Sequence, residues 1–261
     1  MIVMALAALA AALLMTLAWE VVRRTGSGGW TDVVWTFAVG LVGAGVALAP
    51  AVGADPLRQG LAAALIGLWA VRLGGYLWAR TWKTEEVDPR YVLLTRRWGG
   101  WGLQAWIFLM IQAAVVWLLA LSIRAAAARP DAEIGWREGL AVAILIVAIA
   151  GEGLADAQMA AFRKGGAGRG RVMDKGLWAW SRHPNYFFQW FGWLAWPVMA
   201  LDPAWPFGWA SLVAPVFMWW LLNHVSGVPM LEQQMLRTRP EAYRAYQARV
   251  SRFLPLPPRR G

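Results

Sequence analysis

Residues 174–197 read DKGLWAWSRHPNYFFQWFGWLAWP. A polar, basic loop ends there and an aromatic, membrane-type helix begins. Arg182, His183, Pro184, Asn185 and Tyr186 stand at the junction. A proline just inside a helix start is tolerated, because its missing N–H is one of the unpaired donors of the first turn. The remaining first-turn N–H groups attract anions, and Arg182 and His183 stand beside them. The junction therefore reads as a phosphate-binding helix start at a membrane surface.

Composition points to a membrane as well. Of 261 residues, 59% are hydrophobic, against ~45–50% in soluble chains. The 20 tryptophans suit membrane–water interfaces. The apolar runs are continuous rather than alternating, which predicts helices and argues against a barrel. The absence of cysteine excludes disulfides, thiolate catalysis and cysteine-held metals. Two histidines, His183 and His224, are too few for a histidine-rich metal site. The formal charge of +10 is explained by cytoplasmic loops and anionic lipid headgroups more simply than by nucleic acid.

Seven apolar segments follow, at roughly 1–22, 30–50, 60–80, 101–123, 137–160, 184–201 and 207–227, each near the ~20 residues a bilayer needs. The first lacks the basic start and small-residue cleavage site of a signal peptide and reads as a retained helix. Basic residues crowd alternate loops: Arg23 and Arg24; Arg80, Lys83, Arg90, Arg96 and Arg97; Arg163, Lys164, Arg169, Arg171, Lys175 and Arg182. The tail adds Arg237, Arg239, Arg244, Arg249, Arg252, Arg259 and Arg260. The opposite loops offer Arg58, Arg124, Arg129 and Arg137. The positive-inside rule then places the N-terminus outside and the C-terminus in the cytoplasm. The fold class expected is an all-α integral membrane protein, one seven-helix domain over 1–261. Its cytoplasmic tail starts at about 228. In that tail Met230, Leu231, Met235 and Leu236 share a face, Pro240 interrupts, and Tyr243, Tyr246 and Val250 resume it.

Polar residues within spanning segments are functional candidates. Asp32 lies near the cytoplasmic end of the second segment and Tyr76 near that of the third, with Arg72 and Arg80 one turn to either side. Glu152 and Asp156, four apart, approach the same end of the fifth; Asn185 and Gln189, also four apart, open the sixth; Asn223 and His224 close the seventh. Each has a plainer reading. Asp32 can cap a helix, Tyr76 can anchor at the interface, Arg72 can pair with a carboxylate, and His224 can end a helix. Their convergence at one depth favours a site, and the outer half offers little comparable. GLVGAG at 40–45 reads as close helix packing. GGAGRGR at 165–171 follows no strand, so it is not a Rossmann fingerprint, although such a loop can close over phosphates.

The runs GLWAWSRHPNYFFQWFGW (176–193), GEGLADAQMAAFRK (151–164) and EAYRAYQARVSRFLPLPP (241–258) resemble the steroid 5α-reductase superfamily, its bacterial members in particular. RLGGYLWAR (72–80) and DPRY (88–91) add to the likeness upstream. The resemblance implies a seven-helix reductase that moves hydride from NADPH to the β-carbon of a conjugated ketone, typically a 3-oxo-Δ4 steroid. It carries cofactor binding onto Glu152 (commonly asparagine in the family), Asp156, Arg163, Arg171, Asn185, Gln189 (a glutamate in the family), His224 and Glu232. The catalytic tyrosine falls on Tyr76 and the catalytic glutamate on Asp32. The RHPNY core is shared with membrane isoprenylcysteine and phospholipid methyltransferases, which use S-adenosylmethionine.

Chemistry adds its own expectations. Reduction of C=C needs a hydride donor that no side chain supplies. NADPH phosphates need arginine forks or helix N-termini, and Arg163, Arg171 and Arg182 with the helix start at His183 and Asn185 offer both. Asn223 belongs to the same polar end. The enone oxygen gains charge as hydride arrives, and Tyr76 with a neutral Asp32 would stabilise it. The substrate, a steroid or other hydrophobic enone, would enter from the bilayer of a bacterial inner membrane. A monomer among membrane lipids, with no nucleic-acid or metal partner, completes the expectation. A methyltransferase and a non-enzymatic sterol-binding protein are the alternatives.

Overall fold

The computed structural model describes residues 1–83, 91, 95, 98–130, 134–165 and 170–259. Asp88, Pro89, Arg90, Arg96, Arg97, Arg260 and residues 166–169 of the glycine-rich loop, with Arg169, lie outside the described residues. Regular structure among the described residues is helical, and six helical stretches are long and apolar enough to cross a membrane. The chain forms two compact units: residues 1–140 with 196–214, and residues 141–195 with 215–261.

The first unit contains α1 (Ile2–Thr25), α2 (Gly29–Leu48), α3 (Pro56–Lys83), α4 (Leu103–Ala127) and the start of α5 (Trp136–Lys164). Helix α1 ends where Gly26 turns left-handed (φ 71°) and returns its N–H to Val22 O, the usual way a helix closes. Helix α2 begins at Gly29, so its cap is Gly28 and Asp32 sits inside the first turn. The plainer reading of Asp32 as the cap therefore fails. Glycines let α2 approach its neighbours closely: a Cβ at Gly40 would overlap the Ala70 side chain of α3, one at Gly43 would meet Ile66 of α3 and Ile123 of α4, and one at Gly74 of α3 would meet the Phe37 ring of α2. Gly40 and Gly43 of the glycine run pack as expected, while Gly45 is exposed with nothing against it. Indole donors tie α1 to α4 and the turn before it: Trp117 Nε1 reaches Met4 O at 2.9 Å, Trp106 Nε1 reaches Thr16 at 3.2 Å, and Trp19 Nε1 reaches Trp101 O at 2.9 Å. These tryptophans do more than mark an interface, since each part-buried N–H has an acceptor.

The expectation of an outer end poor in polar groups is corrected here. Arg58 and Glu138 are buried, and Arg58 Nε donates to Glu138 Oε1 at 2.8 Å. Arg129 donates to the same oxygen at 3.0 Å and to Met199 O, and Glu138 Oε2 accepts from Gly135 N at 2.9 Å. Arg124 reaches three carbonyls that end α2, those of Val46, Ala49 and Pro50. These arginines satisfy carbonyls at helix ends and balance the Glu138 charge, and so tie the loops together.

The second unit holds the rest of α5, a 3₁₀ turn at Gly176–Ala179, α6 (Pro184–Gly192), α8 (Val213–Trp220) beyond its first two residues, α9 (Val228–Thr238) and α10 (Pro240–Arg249). The expected sixth span is not one helix. It is α6, a tightened turn at Trp193–Leu194 and the short α7 (Ala195–Ala200). Pro197 explains the break, because its ring excludes the carbonyl four residues back, that of Trp193. The segment after it is mixed as well: a 3₁₀ stretch at Pro206–Leu212, then α8, then a π-helical turn at Leu221–Val225. In the tail the backbone turns at Arg239, and Pro240 starts α10 rather than merely interrupting a helix. Tyr243, Tyr246 and Val250 form a buried cluster joined by Val172, Met235 and Leu236. Gly151 lies flush against the Phe188 ring and Gly192 against Ala148, which brings α6 close to α5.

Candidate functional site

The junction at 181–186 lies in the second unit and is held by Glu232 of α9. Glu232 Oε1 accepts from Arg182 Nε at 2.7 Å and Tyr243 Oη at 3.2 Å, and lies 3.4 Å from His183 Nε2. Glu232 Oε2 accepts from Gln247 Nε2 at 3.1 Å. Arg182 also donates from Nη1 to the carbonyls of Val250 and Gln247. Three segments, the junction, α9 and α10, thus meet on one carboxylate. Ser181, fully buried, donates to Phe253 O, and Tyr246 Oη donates to Trp178 O at 2.6 Å. The tail closes the back of the junction: Arg182 N reaches Ser251 O at 2.8 Å and Leu256 N reaches Trp180 O at 3.1 Å. Burial depresses the His183 imidazole below its ordinary value, which keeps the ring neutral. Burial likewise pushes the Tyr243 and Tyr246 phenols up, so both stay protonated donors.

Beside the junction, α5 and α6 present their polar pairs to one another. Asn185 Nδ2 lies 3.5 Å from Asp156 Oδ1. Glu152 is buried one turn before Asp156, and Gln189 is half-buried one turn after Asn185. Gln158 accepts from Leu177 N at 3.0 Å and fits under Gly176, whose φ of 60° and lack of Cβ the contact requires. The pair that closes the last span diverges. Asn223 is buried in the π turn, donates to Trp219 O and accepts from Arg252 Nη2 through its carbonyl. His224 is exposed and meets the edge of Trp219 at 5.2 Å. Arg163, Lys164, Arg171 and Lys175 are exposed.

The sequence-predicted cofactor residues therefore fall into three groups. Glu152, Asp156, Asn185 and Gln189 share the α5–α6 face. Arg182, His183 and Glu232 bond mainly to one another and to the tail. Arg163 and Arg171 are exposed, and Asn223 and His224, which close the last span, belong to none of these groups. Sequence reasoning missed Ser181, Tyr243, Tyr246, Gln247 and Arg252. The repeat of Tyr243, Tyr246 and Val250 on one face was visible as an apolar stripe, but its hydroxyls were not visible as donors.

The predicted catalytic pair belongs to the first unit. Tyr76 is half-buried on α3, with the Arg72 guanidinium 5.9 Å from its ring centroid. Asp32 is half-buried on α2 and accepts from Tyr91 Oη at 2.9 Å. Trp30, Trp78 and Trp82 cluster beside these helix ends, with ring centroids 5.1–6.4 Å apart.

Among the described residues, six helical stretches long and apolar enough to cross a membrane mark an integral membrane protein. Residues 18–250 match the DUF1295 family, described as a protein of unknown function, and the chain belongs to that family. No curated protein and no solved structure matches it.

Proposed function

We propose that the protein is an NADPH-dependent membrane reductase of the steroid 5α-reductase type, acting on the C=C bond of a conjugated ketone. A 3-oxo-Δ4 steroid, reduced to its 5α-dihydro product, is the substrate class. The observation that carries the reading is the approach of Asn185 to Asp156, with Glu152 and Gln189 one turn away. Two i, i+4 polar pairs on packed helices are expensive in a membrane and suit a ligand with ribose and amide groups. The exposed Arg163 and Arg171 suit its phosphates. Arg182 is tied to Glu232, so its role in this reading is to hold the α6 start rather than to grip phosphate.

In the reaction NADPH supplies the hydride. Asp156 and Asn185 hold the cofactor's polar groups. Tyr76 donates to the enone oxygen as it gains charge, with Asp32 as the second catalytic group. Water or a nearby acid protonates the α-carbon. The chain crosses the membrane seven times in this reading, with the broken α6–α7 segment as the sixth crossing. Its N-terminus is outside, and its cofactor groups and tail face the cytoplasm of a bacterial cell.

Parallel titration of the detergent-purified protein with NADPH and S-adenosylmethionine tests the reading, followed by addition of progesterone while NADPH absorbance is recorded. Selective NADPH binding with steroid-dependent oxidation is the expected result. Binding of S-adenosylmethionine alone would replace it with methyl transfer, to which the RHPNY core is equally suited. Steroid binding without consumption of NADPH would leave a sterol-binding protein.

A further inference from the structure

Two polar atoms of α2 stand dry in the interior of the first unit. Among the described residues, Thr31 Oγ1 and Trp35 Nε1 are buried atoms with no hydrogen-bond partner. Thr31 is only 1% exposed, and Trp35 is half-buried with its Nε1 shut off from solvent. Several comparable groups are satisfied. Thr25, Thr36, Thr95 and Thr238 return their hydroxyls to the carbonyl four residues back, and the indoles of Trp19, Trp106 and Trp117 reach acceptors. Thr31 lies in the first turn of α2, so the carbonyl four back belongs to Ser27, ahead of the helix.

Thr31 and Trp35 share one face of α2, since four residues make about one turn. Long helical side chains lean toward the N-terminus, so the Trp35 indole reaches back over the turn that carries Thr31. A buried donor left unmade is costly, and native proteins keep few of them. The chemistry of the two groups narrows what completes them. The indole N–H only donates, and the hydroxyl donates or accepts. A water held by these two groups alone keeps an O–H of its own without an acceptor, whereas internal waters make about three bonds. A carbonyl oxygen carries two lone pairs and no proton, so it satisfies both donors at once.

We infer that Thr31 O–H and Trp35 N–H form a two-donor subsite for the carbonyl oxygen of a hydrophobic ketone that enters from the bilayer. No covalent bond is made or broken there. The inference goes beyond the reductase reading: neither residue belongs to the proposed cofactor or catalytic set, and carbonyl binding needs no NADPH.

Progesterone is the probe, added to the detergent-purified protein without NADPH. Equilibrium dialysis reads its affinity. The infrared carbonyl stretch of the bound steroid reads hydrogen bonding, because it falls in frequency when the oxygen accepts. Wild type should bind progesterone with a lowered carbonyl band. Thr31→Val, which keeps the shape and removes the hydroxyl, should weaken binding roughly tenfold, the equivalent of one hydrogen bond, and raise the band. Thr31→Ser, which keeps the hydroxyl, should bind as wild type does. Trp35→Phe should raise the band as well. Without ketone, Thr31→Val should unfold no earlier than wild type, because it removes a donor that had no partner. An earlier unfolding midpoint in Thr31→Val marks a resident water or another internal partner and overturns the inference. Wild-type affinity or an unmoved band in Thr31→Val overturns it too, as does failure of wild type to bind progesterone. The reductase reading fails separately: it falls if bound progesterone never oxidises NADPH, and that result leaves the subsite standing.

Discussion

Arg182 and Glu232, fifty residues apart in sequence, meet in a charge-assisted hydrogen bond of 2.7 Å. Their side chains are 9% and 14% exposed, so the pair stands largely out of water. The carboxylate also takes Tyr243 and Gln247, which makes it the point where α6, α9 and α10 are tied.

Glu232→Ala should therefore destabilise the protein by about 3 kcal/mol, the usual result of leaving one buried charge alone. Glu232→Gln, which keeps hydrogen bonds but not charge, should cost less. Thermal unfolding in detergent measures both. An unchanged midpoint in Glu232→Ala would remove the residue from its structural role.

Acid sensitivity should come from His183, which faces Glu232, Arg182 and Arg252 and whose folded value lies below the ordinary 6.5. Above that pH the ring is neutral in folded and unfolded chains alike. As pH falls through it, the unfolded chain takes up a proton that the buried ring resists, and stability declines. The unfolding midpoint of wild type should fall below about pH 6.5, and His183→Gln should flatten that part of the curve. Parallel slopes would show that other groups set the acid limit.

The buried triad and a partly exposed pair should behave differently. Glu138→Ala strands Arg58 and Arg129 in the interior and should cost roughly 3–5 kcal/mol or prevent folding. Arg137 pairs with Asp202 at 2.7 Å, with both side chains about a quarter exposed, and Arg137→Ala should cost under about 1 kcal/mol. Expression level and unfolding midpoint separate the two.

Arg171 is exposed, so Arg171→Ala should leave the unfolding midpoint unchanged while weakening NADPH binding about tenfold, the loss of one charge-assisted contact. Fluorescence titration of NADPH decides the point. Unaltered affinity would take Arg171 out of the cofactor site.

Tyr76→Phe should lower turnover by roughly 10²-fold and leave NADPH affinity near wild type. Measuring kcat beside cofactor affinity separates the roles. A folded variant that no longer binds NADPH would contradict a role at the substrate oxygen.

Several features were legible in the chain alone because they depend on local pattern. Continuous apolar runs announced spanning helices, and the glycines at 40–45 announced close packing. Asp156 and Asn185 were singled out by spacing on their own helices, and the structure brings them to 3.5 Å. The break in the sixth segment was written in Pro197, but a hydropathy reading averages over one proline.

What only tertiary structure decided is which partner each polar group takes. Arg182 looked available for phosphate, and Glu232 occupies it from fifty residues away. Arg58 and Arg129 looked like stray loop charges, and Glu138 gathers both in the interior. Asp32 read as a helix cap or as the counterpart of a catalytic glutamate, and Tyr91 donates a hydrogen bond to it. The periodicity of a helix reports which residues share its face, because its rise and turn are local. A hydrogen bond across tens of residues depends on how whole helices pack, and the energy that selects it belongs to the packed structure rather than to any short stretch of sequence.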